Sequence, residues 1–243
     1  MIFVDMFDMF AEISYITSDY NEDIMKNVMI DIETLGTTPN SCILQVAAVT
    51  WDNFGRIDEG ISFDLSVTEQ VNLGRKIDSR TVSWWMDGKV SPEVRQSVLG
   101  RSETLRFHDG MVKLNEYISS AYGDKGGINV WANPPQFDIS TIRSAMESCS
   151  IIPVWQHWEE RDLRTLRNVC KECGITFDKK NESHHSALSD AKHQAEEVIH
   201  LMNELKTWSR RINANTLRGP SMVTLVSPVS ESIYITPNTS SQE

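Results

Sequence analysis

The sequence predicts a mixed-sheet α/β domain over residues 26–206. Three observations carry this expectation. Apolar runs with strand-like alternation follow one another across 28–33, 43–51 and 57–65, and the turns between them are short, the pattern of an antiparallel meander. Further on, helical spacing dominates and is interrupted by a short apolar strand at 127–132, which makes the domain α/β rather than all-β. The chain of 243 residues is 40% hydrophobic and 23% charged, enough apolar material for a sizeable core, which excludes a wholly disordered chain, a collagen-like repeat and a disulfide-stapled miniprotein.

Residues 1–25 form an N-terminal extension in which Phe3, Met6, Phe7 and Phe10 fit one face of a short acidic amphipathic helix. In the first strand Val28, Ile30 and Ile32 point one way, and Met29, Asp31 and Glu33 the other. Gly36 and Pro39 mark the turn that follows, and Asp52 to Gly55 the next. The third strand alternates Ile57, Ile61, Phe63 and Leu65 with Asp58, Ser62 and Asp64. A short helix is expected over 79–87 with Val82, Trp84, Trp85 and Met86, and another begins at Ser91-Pro92. Ser102 is read as the cap of a longer helix that turns Leu105, Met111, Leu114 and Ile118 inward and ends before Gly123. Asp138 opens a helix with Ile139, Ile142 and Met146 on one face. Asp162 opens the next, with Leu163, Leu166 and Val169 inward and Gly174 as its stop. The last helix is expected over 186–206, with Ala187, Ala191, Ala195, Val198, Ile199, Met202 and Leu205 on its buried side. Residues 207–243 are rich in Asn, Ser, Thr and Pro and are expected to be a partly disordered tail.

Charge and cysteine content narrow the classes. A formal net charge of −11 sets the chain as a whole against nucleic acid and anionic membranes. No uncharged apolar run approaches the ~18–20 residues of a membrane span. Cys42, Cys149, Cys170 and Cys173 fit free thiols of a reducing compartment better than a disulfide framework. No Lys or Arg precedes Lys26, and Asp5 and Asp8 break the first apolar run, so a secretory signal is not expected and the protein is placed in the cytoplasm.

Three acidic segments stand out. Asp31 and Glu33 share one face near the end of an apolar strand; their hard oxygens suit Mg²⁺ or Mn²⁺, or else the strand end simply reaches water. Asp138 follows a strand, a Pro-Pro turn and Phe137, where a helix cap is the plain alternative. Asp190 lies on the side of the last helix that carries Ala187, Ala191 and Gln194, and a carboxylate there needs a cation or a hydrogen-bond partner. His185 stands five residues before it.

Taken in order, Asp31-Ile32-Glu33-Thr34-Leu35-Gly36, Asn133 to Asp138 and His185-x4-Asp190 resemble the DEDD family of 3′–5′ exonucleases. The histidine five residues before the last aspartate is similar to the DEDDh branch, and Trp84-Trp85 followed by the Ser91 segment resembles the phage exonuclease A and mycobacterial exoribonuclease-like subgroup. The middle motif departs from the pattern, because Pro134, Pro135 and Gln136 separate Asn133 from Phe137. The resemblance implies a ribonuclease H-like fold, in which short parallel strands join the meander. It also implies two Mg²⁺ or Mn²⁺ ions held by Asp31, Glu33, Asp138 and Asp190, with His185 as general base. Single-stranded RNA or DNA 3′ ends would be the substrate and nucleoside 5′-monophosphates the product. A homodimer is implied by the same analogy. Thr34, Leu35, Asn133 and Phe137 would meet the terminal nucleotide, Leu35 and Phe137 as wedges.

Weaker signals have competing readings. Trp84 or Trp85 suits base stacking, but neighbouring helical residues point about 100° apart, so one of them belongs to the core. Arg161, Arg164, Arg167 and Lys171, or Arg75, Lys76 and Arg80, suit phosphates or a solvated face. Asp162 suits a fifth site carboxylate or a helix cap. Cys170 and Cys173 with His184 and His185 suit zinc, a reading that would take His185 away from catalysis. A nucleic-acid-binding module without catalysis is the alternative function on the same fold.

Overall fold

The computed structural model describes residues 26–52, 54–88, 90–100, 104–121, 127–179 and 186–217. The expectations for residues 1–25 and for the tail beyond 217 fall outside these residues, and so do those for His184 and His185. The strands are β1 (Lys26–Thr34), β2 (Ile43–Trp51), β3 (Ile61–Asp64), β4 (Ile128–Ala132) and β5 (Glu160–Asp162). The helices are α1 (Val67–Asn72), α2 (Ser79–Met86), α3 (Pro92–Leu99), α4 (Phe107–Ser120), α5 (Asp138–Ser148), α6 (Leu163–Glu172) and α7 (Ala187–Leu217), with a 3₁₀ turn at His157–Glu159.

The strands form one sheet in the order β3-β2-β1-β4-β5. The meander is antiparallel, and β4 and β5 run parallel to β1. The mixed ribonuclease H-like sheet is therefore as expected, although β5 is too short to show an apolar rhythm and α1 has no sequence signal stronger than its Ser66 cap. Ile57 and Leu65, expected inside the third strand, make only isolated bridges, to Trp51 and Leu105.

Because β1 is central, both of its faces are covered. Val28, Ile30 and Ile32 pack with Phe107, Met111, Leu114 and Ile118 of α4 and with Ile139 and Ile142 of α5. On the other face Met29, Ala47 and Val49 meet Leu163 of α6 and Ala187, Ala191 and Ala195 of α7. Small residues on both sides let α7 lie close to the sheet, which brings its first turn over Asp31 and Glu33. A third cluster of Leu35, Cys42, Leu44, Trp85, Val90 and Val98 seats α2 and α3 against the end of the sheet.

Three helices differ from expectation. α4 begins at Phe107, not at Ser102: its first N–H is capped from outside, by Glu69 Oε2 of α1 at 2.7 Å, so no local cap residue is needed. In α6 Cys170 is fully buried while Val169 is 52% exposed, the reverse of the sequence expectation for Val169. α7 continues to Leu217 rather than ending near Lys206, because no Gly or Pro follows until Gly219-Pro220. The chain divides into two compact units, 1–205 and 206–243. In the second, the described residues 206–217 are the end of α7. No helix among the described residues is long and apolar enough to cross a membrane.

Candidate active site

β1 delivers Asp31 and Glu33 to the face that α7 covers, and the first turn of α7 delivers Asp190. A carboxylate oxygen from each lies within 4.8 Å of the others. Asp138, the first residue of α5, is 4% exposed. Burial and the crowding of like charge hold Asp31 and Glu33 toward their neutral forms, and burial does the same to Asp138. Asp31 is pushed well above the usual carboxylate range by burial and then by the charges of Asp138, Glu33 and Asp190, against the hydrogen bond it accepts from Gln194. Glu33 is pushed up to about 8 by burial and by Asp190 and Asp138. Burial raises Asp138 to about 7, against backbone hydrogen bonds from Ile32, Asp138 and Asn133 and the positive charge of Arg164. The charge of Asp138 in turn raises Asp31 and Glu33. A half-buried cluster of carboxylates that repel one another when ionised fits hard divalent cations, whose charge would remove the repulsion.

Beside this cluster opens a pocket of about 540 Å³, lined by Glu33, Thr34, Gly36, Thr37, Asp78, Arg80, Thr81, Trp84 and Phe137 among others. Gly36 has to be glycine, since a Cβ there would stand 2.5 Å from Ser41 Oγ, an atom already engaged by the Thr38 N–H at 3.0 Å. Trp85, 1% exposed, donates its Nε1–H to the Thr34 carbonyl at 3.0 Å and so ties α2 to the end of β1. Trp84, edge-on to Trp85 with centroids 5.2 Å apart, stands in the pocket wall.

The 3′-5′ exoribonuclease Rv2179c-like domain model matches residues 26–202. The chain belongs to this family. The chain is also 25% identical over 123 residues to an exodeoxyribonuclease of Enterobacteria phage T4, a match covering 47% of this chain and 52% of that protein. It therefore spans about half the length of that relative. E. coli exonuclease I in complex with a dA16 oligonucleotide superposes with a TM-score of 0.51 at 16% identity, over 76% of this chain and 42% of that one. The zinc-bound E. coli exonuclease I–ssDNA complex gives 0.54 at 17% identity, over 80% and 43%. These likenesses establish the ribonuclease H-like fold.

In this Rv2179c-like domain the expected site residues separate into those that meet and those that do not. Asp31, Glu33 and Asp190 converge, with Asp138 close enough to raise two of them. Thr34, Phe137, Trp84 and Trp85 line the adjoining pocket. Leu35, read as a wedge, instead turns into the third cluster at 9% exposure, because its backbone is pinned between Cys42 and Asp78. Asn133 reaches Asp138 through its backbone, while its side-chain Oδ1 is buried without a partner. Asp162 is the cap of α6, accepting from the Arg164 N–H at 2.9 Å.

The expected basic clusters also divide. Arg75 is 3% exposed and spends its guanidinium on the carbonyls of Pro39 and Ser41 and on Ser144 Oγ, so it braces the fold and meets no phosphate. Arg167 forks onto Glu197 at 2.6 and 2.8 Å. Arg164 is left as the cation beside Asp138. Cys170 packs in the core under α7, which turns it away from the zinc role.

Two glutamines were assigned no role from the sequence. Gln194, 8% exposed, donates to Asp31 Oδ1 at 2.7 Å. Its position one turn after Asp190, on the same helix face, was the available signal. Gln45 is taken up below. Replacing Trp84 with Ala is expected to raise KM for a single-stranded oligonucleotide about tenfold or more, the worth of one base stack, with little change in kcat. Steady-state kinetics check this, and an unchanged KM would remove Trp84 from the binding surface.

Proposed function

We propose that the protein is a metal-dependent 3′–5′ exonuclease that removes nucleoside 5′-monophosphates from single-stranded ends. The observation that carries this reading is the convergence of Asp31, Glu33 and Asp190 within 4.8 Å, beside a pocket of nucleotide size. Asp31, Glu33, Asp138 and Asp190 are the residues that would hold two Mg²⁺ or Mn²⁺ ions. When bound, such ions supply an acidified water and neutralise charge at the scissile phosphate and its leaving oxygen.

The rest of the mechanism belongs to the chain. His185, which precedes α7, takes the proton of the attacking water; the imidazole's ordinary range suits a base at neutral pH. Thr34, Phe137 and Trp84 hold the terminal nucleotide in the pocket, and Arg80 and Thr81 on its rim offer donors to it. Arg164 faces the phosphate from the Asp138 side. A site that grips only the last nucleotides needs few phosphate contacts, which reconciles the activity with a net charge of −11.

The family's description supports RNA ahead of DNA as substrate, while the phage relative is named for DNA. The oligonucleotides bound to exonuclease I support single-stranded ends. A cytoplasmic location, in keeping with four free cysteines, and a homodimeric state complete the proposal. Chromatography of the products from a single-stranded RNA incubated with Mg²⁺ tests it. Nucleoside 5′-monophosphates are expected, formed without oligonucleotide intermediates of internal cleavage. Intact RNA, or 3′-monophosphates, would contradict it.

A further inference from the structure

Gln45 takes no part in the chemistry above, yet it is 3% exposed and bonded through both atoms of its amide. It stands on β2 directly across from Glu33 of β1, with its side chain on the face covered by α7. Its Nε2 donates to Asp64 Oδ1 at 3.0 Å, and its Oε1 accepts the N–H of Ala187 at 3.0 Å. Asp64 is the last residue of β3, is 6% exposed and is the register partner of Gln45. Ala187 is the first residue of α7, where backbone N–H groups have no partner inside the helix. The sheet itself therefore supplies an acceptor to the helix that carries Asp190. Asp190 follows three residues later, and its own N–H closes the first turn on Ser186 O at 2.9 Å.

The side-chain type suits the two bonds. The amide of Gln45 donates to a carboxylate from one atom while the other accepts from a backbone N–H. A carboxylate at this position would keep the bond to Ala187, lose the donor to Asp64 and set two negative groups together. An apolar residue would make neither bond. The need for such a tie is electrostatic: Asp190 is carried toward Glu33 and Asp31 against mutual repulsion, and the first turn must be held there.

We infer that Gln45, oriented by Asp64, is a positioning residue that fixes the first turn of α7 so that Asp190 completes the oxygen cluster with Asp31 and Glu33. The inference rests on the proposed reading of that cluster as a divalent-cation site. Its test is Mn²⁺ binding to the full chain, followed by titration calorimetry and by the Mn²⁺ electron paramagnetic resonance signal.

Gln45→Met is expected to weaken binding about 10–100-fold, the usual cost of losing a residue that orients a ligand, with an unchanged circular dichroism spectrum. The double variant Gln45→Glu/Asp64→Asn returns an acceptor to position 45 and a donor to position 64, and is expected to restore affinity to within about threefold. Ile118→Val, a core change on α4 that costs a comparable amount of stability, should leave affinity alone. If Gln45→Met does not fold, Gln45→Glu alone takes its place, weakened where the double variant is restored. Wild-type affinity in the single variants, or no recovery in the double, would overturn the inference. A wild-type chain that binds no Mn²⁺ at all would overturn the metal-site reading and this inference with it.

Discussion

Asp31→Asn is expected to lower the exonuclease rate by at least about 10³-fold, at the upper end of the loss when one preorganised electrostatic group is removed from an active site. The same change should make the metal-free protein more stable. Asn has nearly the shape of Asp, and its carbonyl can still accept the 2.7 Å bond that Gln194 gives to Asp31 Oδ1. What disappears is a charge that burial and three neighbouring carboxylates oppose. Relief of that opposition should raise Tm at pH 8. A thermal melt in EDTA beside an activity assay measures both. Opposite signs are the signature of a site that holds strain for its function; a loss of stability with the loss of activity would mean that Asp31 is structural.

The second large effect is the pH dependence of the metal-free fold. Glu33 moves from an ordinary 4.5 to about 8, and Asp138 from 3.8 to about 7. Between those limits the folded chain keeps protons that the unfolded chain has released, so stability falls as pH rises. The full contribution is present below about pH 4 and is lost progressively by about pH 8. In EDTA, Tm should therefore drop by about 5–10 °C between pH 5.5 and pH 8.5, where most proteins change little. Mg²⁺ at 100 times its Kd should return about 2.7 kcal/mol. At one fixed Mg²⁺ concentration the gain should be larger at pH 8 than at pH 6, because at the lower pH the ion has to displace protons. A Tm that is flat in EDTA across this range would show that the carboxylates do not share one buried environment.

Much of the fold was legible because its signals are local. The alternation of Val28, Ile30 and Ile32, the turns at Gly36 and Gly55, and the alanine series of α7 each specify an element from a few neighbouring residues. The boundaries that escaped depend on contacts distant in sequence. Glu69 caps α4 from another helix, and its chain gives no hint of that until α1 is folded. Polar residues show the same divide. Asp31, Glu33, Asp138 and Asp190 could be singled out because each sits in a motif whose order survives in sequence. Leu35, in the same motif, was given the wrong surroundings: whether a turn residue faces a pocket or the core is decided by where α2 and α3 close over it. Arg75 was open to a phosphate or a solvated face because the sequence cannot show that two carbonyls and a serine wait for its guanidinium. Gln45 and Gln194 had no role in the sequence because an amide carries no charge and fits as well on a surface; only the register opposite Glu33 and the height of α7 give them a task.

The most direct test of the account is a time course with 5′-labelled single-stranded RNA and DNA in Mg²⁺ or Mn²⁺, beside EDTA and the Asp31→Asn variant. The expected result is a ladder that shortens from the 3′ end, stops in EDTA and is absent with the variant. An intact substrate in the presence of bound metal would contradict the exonuclease and leave a binding module built on the same fold.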